Sequence, residues 1–329
     1  PEKLHEELYK RVAPQIDDIL LAKNGTTGVA AIVDRDIVFD IYVSLALIRP
    51  NPEIVMPRYL LYAINNPVVK GYFDSSLKGI GVPNLHLKNI RETPIKIYDL
   101  ETQKAIVEKL DKVCELISLR KQQLAKLDEL VKARFVEMFG DVSQKDALKN
   151  LCNFIDYRGK TPDKVDIGLP FITAKNVRMH YMSFDTQEFI SKESYDKVMT
   201  RGIPQVGDVL FTTEAPLGNV CRIPQLNTEF YIGQRIITMQ TDVLAPAYLE
   251  YALSSDDFKK ELNKKSSGST VTGIRSKLLA EMSIPVPPLS LQNDFAVFVE
   301  HVDQQKQTVQ QSLEKLELMK KALMQEYFG

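Results

Sequence analysis

The chain has 329 residues, 44% hydrophobic and 26% charged, with a net charge of −1. Such a length supports two domains with sizeable cores, and such a composition is that of an ordinary globular protein. The neutral balance excludes a globally basic nucleic-acid binder, though not a basic face offset elsewhere, and three separated cysteines (Cys114, Cys152, Cys221) exclude a CxxC zinc or disulfide framework.

In chain order, a polar loop, "LAKNGTTG", stands at 21–28. A short helix is expected over 57–73, followed by a second polar loop, "SLKGIGVPNLHLKN" (76–89). Residues 101–139 contain no Gly or Pro and read as one helix of about 58 Å at ~1.5 Å per residue. Ile106, Leu110, Val113, Ile117, Arg120, Leu124, Leu127, Val131, Arg134 and Met138 alternate four and three apart, which is a heptad seam. Gly140 and Asp141 supply the stop. Basic loops follow, "DYRGKTP" (156–162) and "TAKNVRMH" (173–180). "GDVLFTT" (207–213) and "FYIGQRIITMQT" (230–241) read as strands, and 246–265 as helical. After the loop "NKKSSGSTVTGIRSK" (263–277), prolines hold "IPVPPLS" (284–290) extended. A second long helix closes the chain, with a seam at Phe295, Val299, Val302, Lys306, Val309, Leu313, Leu316, Lys320, Leu323 and Tyr327.

The two long helices are parts of a larger repeat. "APQIDDILLAKNGTTG" (13–28) lies over "IPQVGDVLFTTEAPLG" (203–218), pairing Pro14 with Pro204, Asp18 with Asp208 and Gly28 with Gly218. Gly79 then meets Gly268, Lys88 meets Lys277 and Gln103 meets Gln292. "KARFVEMFG" ends the first copy at 132–140, and "KALMQEYFG" the second at 321–329. The second copy has a leading part, roughly 147–190, without a counterpart in the first, so the chain is expected to begin inside its first copy. The expected division is a globular part at 1–100, a helix at 101–140, a globular part at 141–290 and a helix at 291–329. A lone helix would leave its apolar stripe wet. Pairing of the two helices, antiparallel about a pseudo-two-fold axis, covers both stripes; packing of each on its own globular part is the alternative. The pairing residues are expected to be Leu110, Val113, Ile117, Leu124, Leu127, Val131, Val299, Val302, Val309, Leu313, Leu316 and Leu323.

Motifs for chemistry are missing from the sequence. The four histidines (His5, His86, His180, His301) sit far apart, and "GIGVPN" (79–84) does not open a helix after a strand. There is no GxxxxGK[ST] motif, no Asn-Pro-Pro-aromatic or Asp-Pro-Pro-aromatic signature, and no nuclease-like set of carboxylates and lysine. No apolar run reaches the roughly 18 residues of a membrane span, and no signal peptide is visible; a cytoplasmic location without a membrane partner is expected. What remains is the set of polar loops. Ammonium and guanidinium groups neutralise phosphates, and Lys, Arg and Asn can read base edges. The candidate DNA contacts are Lys23, Asn24, Thr26, Lys78, Asn84 and His86 in the first copy. In the second they are Arg158, Lys160, Thr161, Lys175, Asn176, Arg178, Thr213, Lys264, Lys265, Ser266, Ser267, Ser269, Thr270 and Arg275. A solvated loop is the competing reading for each residue singly.

The ordered combination of "GLPFITAKNV" (168–177), "PQVGDVLFTTEAPLGNV" (204–220), "IPVPPLSLQ" (284–292) and a helix ending in "YFG", with its first-copy counterparts, resembles the specificity (S) subunits of type I restriction–modification systems, the HsdS family. Two departures stand out: the first recognition domain lacks its opening segment, and Tyr98 and Asp99 replace two prolines of the family's "PxPP" turn. The resemblance implies an α+β fold with two target-recognition domains, mainly β with short helices, separated by two long helices in an antiparallel coiled coil. It implies a non-catalytic subunit that reads a bipartite double-stranded DNA target and docks two methyltransferase (M) subunits, with restriction (R) subunits joining. No cofactor is implied in this chain; S-adenosylmethionine belongs to the M subunit, and ATP and Mg to the R subunit. The alternatives are a coiled-coil structural adaptor with two protein-binding modules, a freestanding DNA-modifying enzyme, or an orphan or truncated S protein serving methylation only.

Overall fold

The computed structural model describes residues 2–77, 84–159, 162–268 and 272–329. It divides into one unit of Pro1–Leu124 with Thr308–Gly329 and another of Ala125–Gln307.

In the first unit, α1 (Glu2–Arg11) precedes β1 (Ile19–Ala22), β2 (Ala30–Ile32) and β3 (Leu45–Ile48), an antiparallel sheet in the order β2-β1-β3. The single helix expected over 57–73 is two, α2 (Pro57–Ile64) and α3 (Pro67–Ser76). Pro67 forces the preceding residue out of helical space: Asn66 has φ −69° and ψ 142° and caps α3 by accepting from the Val68 N–H. After α4 (Leu87–Glu92), the long helix α5 runs from Leu100 to Phe139. Its start is capped by Asp99, which stands where the second copy has Pro288: the carboxylate accepts from the Thr102 N–H at 2.9 Å.

In the second unit, β4 (Lys145–Ala147), α6 (Leu148–Leu151) and β5 (Asn153–Asp156) come first. Then follow β6 (Lys164–Val165), β7 (Leu169–Ile172), β8 (Val177–Arg178), β9 (Tyr181–Met182), β10 (Phe189–Ile190) and α7 (Lys192–Val198). The main sheet is built from β11 (Val209–Thr212), β12 (Val220–Arg222) and β14 (Ile236–Gln240), in the order β12-β11-β14-β5. The strand expected over 230–241 is broken at Gly233, so that β13 (Tyr231–Ile232) pairs in parallel with β7 in a different sheet. The helix expected over 246–265 is α8 (Pro246–Ser254) and α9 (Asp256–Lys265), with Ser255 as the cap between them. Next are α10 (Ser276–Ala280), β15 (Ser283–Pro285), which pairs with β4, and α11 (Leu289–Phe328).

The long helices pair antiparallel within each unit. In the first unit, Arg120 Nε donates to Ser312 Oγ at 3.2 Å, Lys121 meets Glu317 at 3.1 Å, and Met324 and Phe328 join the core of Ile106 and Leu110. In the second, Val131 packs in one core with Phe295, Val299 and Val302, and Lys306 meets Asp128 at 2.6 Å. Leu110, Val113, Val131, Val299, Val302, Val309 and Leu313 are buried; Ile117, Leu124, Leu127, Leu316 and Leu323 are half-buried.

The repeat extends to individual contacts. Gln103 accepts from the Met56 N–H and donates to the carbonyls of Ile54 and Tyr98. Gln292 accepts from the Ala245 N–H and donates to the Pro287 carbonyl. Tyr59 donates to the Lys96 carbonyl and Tyr248 to that of Pro285. Gly28 (φ +80°) and Gly218 (φ +84°) hold left-handed turns, and a Cβ on either would reach within 3.1 Å of Phe73 or 3.0 Å of Leu262. The copies differ beside the sheet. In the second unit, Leu148, Leu151 and Cys152 pack on Ile237, Met239, Leu279 and Ile284. The matching wall of the first unit, including Ala46, Ile48, Ile90 and Ile95, borders an open cavity of about 740 Å³.

Candidate nucleic-acid interface

In each unit the chain leaves an inner strand of the sheet, β1 or β11, and makes a turn that is tied to a second loop. In the first unit the turn is Lys23–Gly28. Lys23 donates its N–H to the Ser44 carbonyl at 2.8 Å and accepts at its own carbonyl from the Leu85 N–H at 2.9 Å, while Asn24 bridges Asn84. This gathers Lys23, Asn24, Thr26, Asn84 and His86 at one sheet end, although 60 residues separate Asn24 from Asn84. Thr26, Asn84 and His86 are exposed; Lys23 and Asn24 are half-buried. Lys78 lies outside the described residues.

In the second unit the turn follows Thr212. The Ile274 N–H donates to the Thr213 carbonyl at 3.0 Å, and Glu214 and Ser267 both bridge Gly273. Lys264, Ser267 and Arg275 are exposed around this knot, and Ser266 is half-buried with its hydroxyl on the Asn263 carbonyl. Lys265 is half-buried and pairs with Glu261 at 2.8 Å. Ser269 and Thr270 lie outside the described residues.

Thr213 is not available as a contact. It is buried, and its hydroxyl is spent on the Arg235 carbonyl at 3.2 Å. Asn176 is likewise unavailable. It is 3% exposed; its Oδ1 accepts from the N–H and hydroxyl of Thr173, and its Nδ2 donates to the carbonyls of Ser183 and Thr186. An amide with its hydrogen-bonding groups engaged shapes a turn and reads no base. What it shapes is useful: Lys175 and Arg178 project exposed from the turn and from the β8–β9 hairpin.

The remaining loop is pinned by charge. Arg158 donates to the Asp156 carboxylate at 2.6 and 2.9 Å, and Arg201 donates to the carbonyls of Asp156 and Arg158. Burial pushes Asp156 up, but hydrogen bonds and charge from Arg158 outweigh it and hold the carboxyl below its ordinary value. Arg158 is thus oriented by a partner within its own loop. Lys160 and Thr161 lie outside the described residues.

The charged groups behind the hairpin were not singled out in the sequence. Glu250 is 1% exposed and accepts from both His180 Nδ1 (3.0 Å) and Arg222 Nε (2.6 Å). Arg222 continues to Asp303 on α11 at 2.9 Å. One signal existed: Arg222 interrupts the apolar strand "NVCRI", and Glu250 interrupts the apolar helix "YLEYAL".

A family model for the type I restriction modification DNA specificity domain matches residues 3–129 and 143–318. The chain belongs to that family. Type I restriction enzyme MjaVIII specificity subunit of Methanocaldococcus jannaschii is similar at 22% identity over 341 residues, 96% of this chain and 79% of that one. The solved type I restriction–modification S subunit from M. genitalium aligns at 17% identity over 95% of this chain and 83% of that one, with a TM-score of 0.56. A chain from the structure on complex assembly and conformational transition of the type I R-M system aligns at 22% identity over 96% and 82%, also with a TM-score of 0.56. This type I specificity subunit is therefore a DNA-recognition component that performs no catalysis itself, and it needs no cofactor of its own. Its partners are DNA and the modification and restriction subunits. No helix among the described residues is long and apolar enough to cross a membrane.

Proposed function

We propose that the two globular parts of this specificity subunit, 1–100 and 141–290, each read one half of a split DNA target. The observation that carries this reading is the repeated knot at the sheet end, Lys23–Asn24 with Asn84 and Thr213–Glu214 with Gly273. Each knot presents exposed amide, hydroxyl or basic side chains beside a fixed backbone. In the first domain the contacts are Lys23, Asn24, Thr26, Asn84 and His86. In the second they are Arg158, Lys175, Arg178, Lys264, Lys265, Ser266, Ser267 and Arg275. Cationic groups hold the phosphates, and short polar groups in rigid turns meet base edges.

The paired helices act as the spacer. Helix length fixes the untouched gap between the half-sites, and the helices offer two equivalent platforms to two M subunits. Those subunits carry S-adenosylmethionine and methylate adenine at N6, and the R subunits bring ATP and Mg. Sequencing the methylated adenines of a host that carries this chain with its M subunit tests the proposal. The expected result is a two-part motif with a constant gap. An undivided motif, or methylation independent of this chain, would overturn it.

A further inference from the structure

We propose that the set His180–Glu250–Arg222–Asp303, centred on the buried Glu250, is a positioning device that fixes the second domain's β8–β9 hairpin to the spacer helix, and so decides how well that half-site is read. The inference rests on the DNA-reading role proposed for Arg178, two residues before His180. It starts from an asymmetry. The repeat places Ile32 opposite Arg222, Leu61 opposite Glu250 and Cys114 opposite Asp303. The first copy thus has an isoleucine, a leucine and a cysteine at the three positions where the second has charges, and the hairpin those charges reach lies in the leading part that only the second copy carries.

The geometry shows what the charges hold. His180 adopts φ +67°, a left-handed backbone that is uncommon for any residue other than glycine. Its ring stacks on Tyr251 at 4.2 Å and 12°, and its Nδ1 meets Glu250 Oε1 at 3.0 Å. Its N–H donates to the Val220 carbonyl at 2.8 Å, tying the hairpin to β12. Glu250 uses its other oxygen for Arg222 on that same strand, and Arg222 reaches Asp303 on α11. Asp303 also faces Lys306, which pairs with Asp128 on α5. A continuous chain of polar contacts thus runs from the hairpin through α8 and β12 to both long helices. Such a network specifies one arrangement where an apolar junction would tolerate several, because each buried charge left unpaired is costly.

The test uses the full chain assembled with its M subunits and a pool of randomised double-stranded oligonucleotides. Wild type selects a two-part consensus, and Arg178→Ala marks the second domain's half by flattening its base preferences. Glu250→Gln is expected to lower enrichment in that same half about tenfold, the order of one good base contact, with the other half unchanged. Adding Arg178→Ala to Glu250→Gln costs little more, because groups acting through one another are not additive. A second variant carries the first copy's residues, Arg222→Ile, Glu250→Leu and Asp303→Cys. Replacing buried charges together by apolar groups is often neutral for stability, so this variant should fold and still lose the same half. If it folds and keeps both halves, or if both halves weaken alike, the positioning role is wrong. A wild-type complex that selects no consensus overturns the DNA reading itself, and the inference with it.

Discussion

Gln292 offers a direct measure of what joins a recognition domain to its long helix. It is 1% exposed, and its amide closes two bonds, from the Ala245 N–H at 2.9 Å and to the Pro287 carbonyl at 2.8 Å. Gln292→Leu keeps the side chain's size but strands both backbone groups in a buried corner. A stranded buried donor or acceptor costs about 1–3 kcal/mol. Two of them, partly offset by the apolar leucine, give about 3 kcal/mol, a large share of a domain's 5–15 kcal/mol. For a unit of this size each kcal/mol moves the melting temperature by about 2–4 °C, so a drop of roughly 6–12 °C is expected. Differential scanning calorimetry of the full chain reads it. Gln103→Leu should act similarly in the first unit, where three backbone groups would be stranded. A shift below about 2 °C in either variant would show that water or neighbouring groups satisfy these atoms, and the latch would carry no weight.

Four other outcomes are expected. Burial pushes Asp18 up, but Arg49 and the Gln15 backbone N–H outweigh it and hold the carboxyl below its ordinary value; at the matching place Asp208, with Gln240 instead of an arginine, is raised by burial. Asp18 thus contributes stability above the unfolded-state value that disappears as pH falls through the lowered one. In Arg49→Gln this contribution should shrink by about 0.5–1 kcal/mol, the range for a pair with a half-exposed partner, and the acid-side dependence of urea unfolding should flatten. Lys175→Ala should reduce the salt slope of DNA affinity by about 0.9 if it neutralises one phosphate, measured by fluorescence anisotropy across a salt series; an unchanged slope would remove it from the phosphate contacts. Inserting one heptad into each long helix adds about 10 Å, or roughly 3 base pairs, to the gap between methylated half-sites; an unchanged gap in sequenced DNA would retire the spacer as a ruler. Gly218→Ala should destabilise by about 1–2 kcal/mol in urea unfolding, since φ is +84° and the new Cβ would stand 3.0 Å from Leu262; a neutral result would mean that the turn relaxes freely.

Local chain properties determined much of this protein. A seam repeating every three and four residues sets which face of a helix is apolar wherever that helix lies, so the long helices and their pairing were legible. The repeat was legible too, because two copies in one chain make the same residues recur at a nearly constant offset, 190 residues at first and 189 later. Asn66 before Pro67 and Ser255 before Asp256 already carried the helix breaks that a continuous reading of 57–73 and 246–265 passed over. Tertiary structure decided which polar side chains are free. Asn176 and Thr213 look like DNA contacts until Ser183, Thr186 and Arg235 supply the groups that engage them. His180, Arg222, Glu250 and Asp303 become one network only when a hairpin, a strand and two helices meet. A hydrogen bond requires its two atoms within about 3 Å, and a one-dimensional pattern does not state distances between residues far apart in the chain.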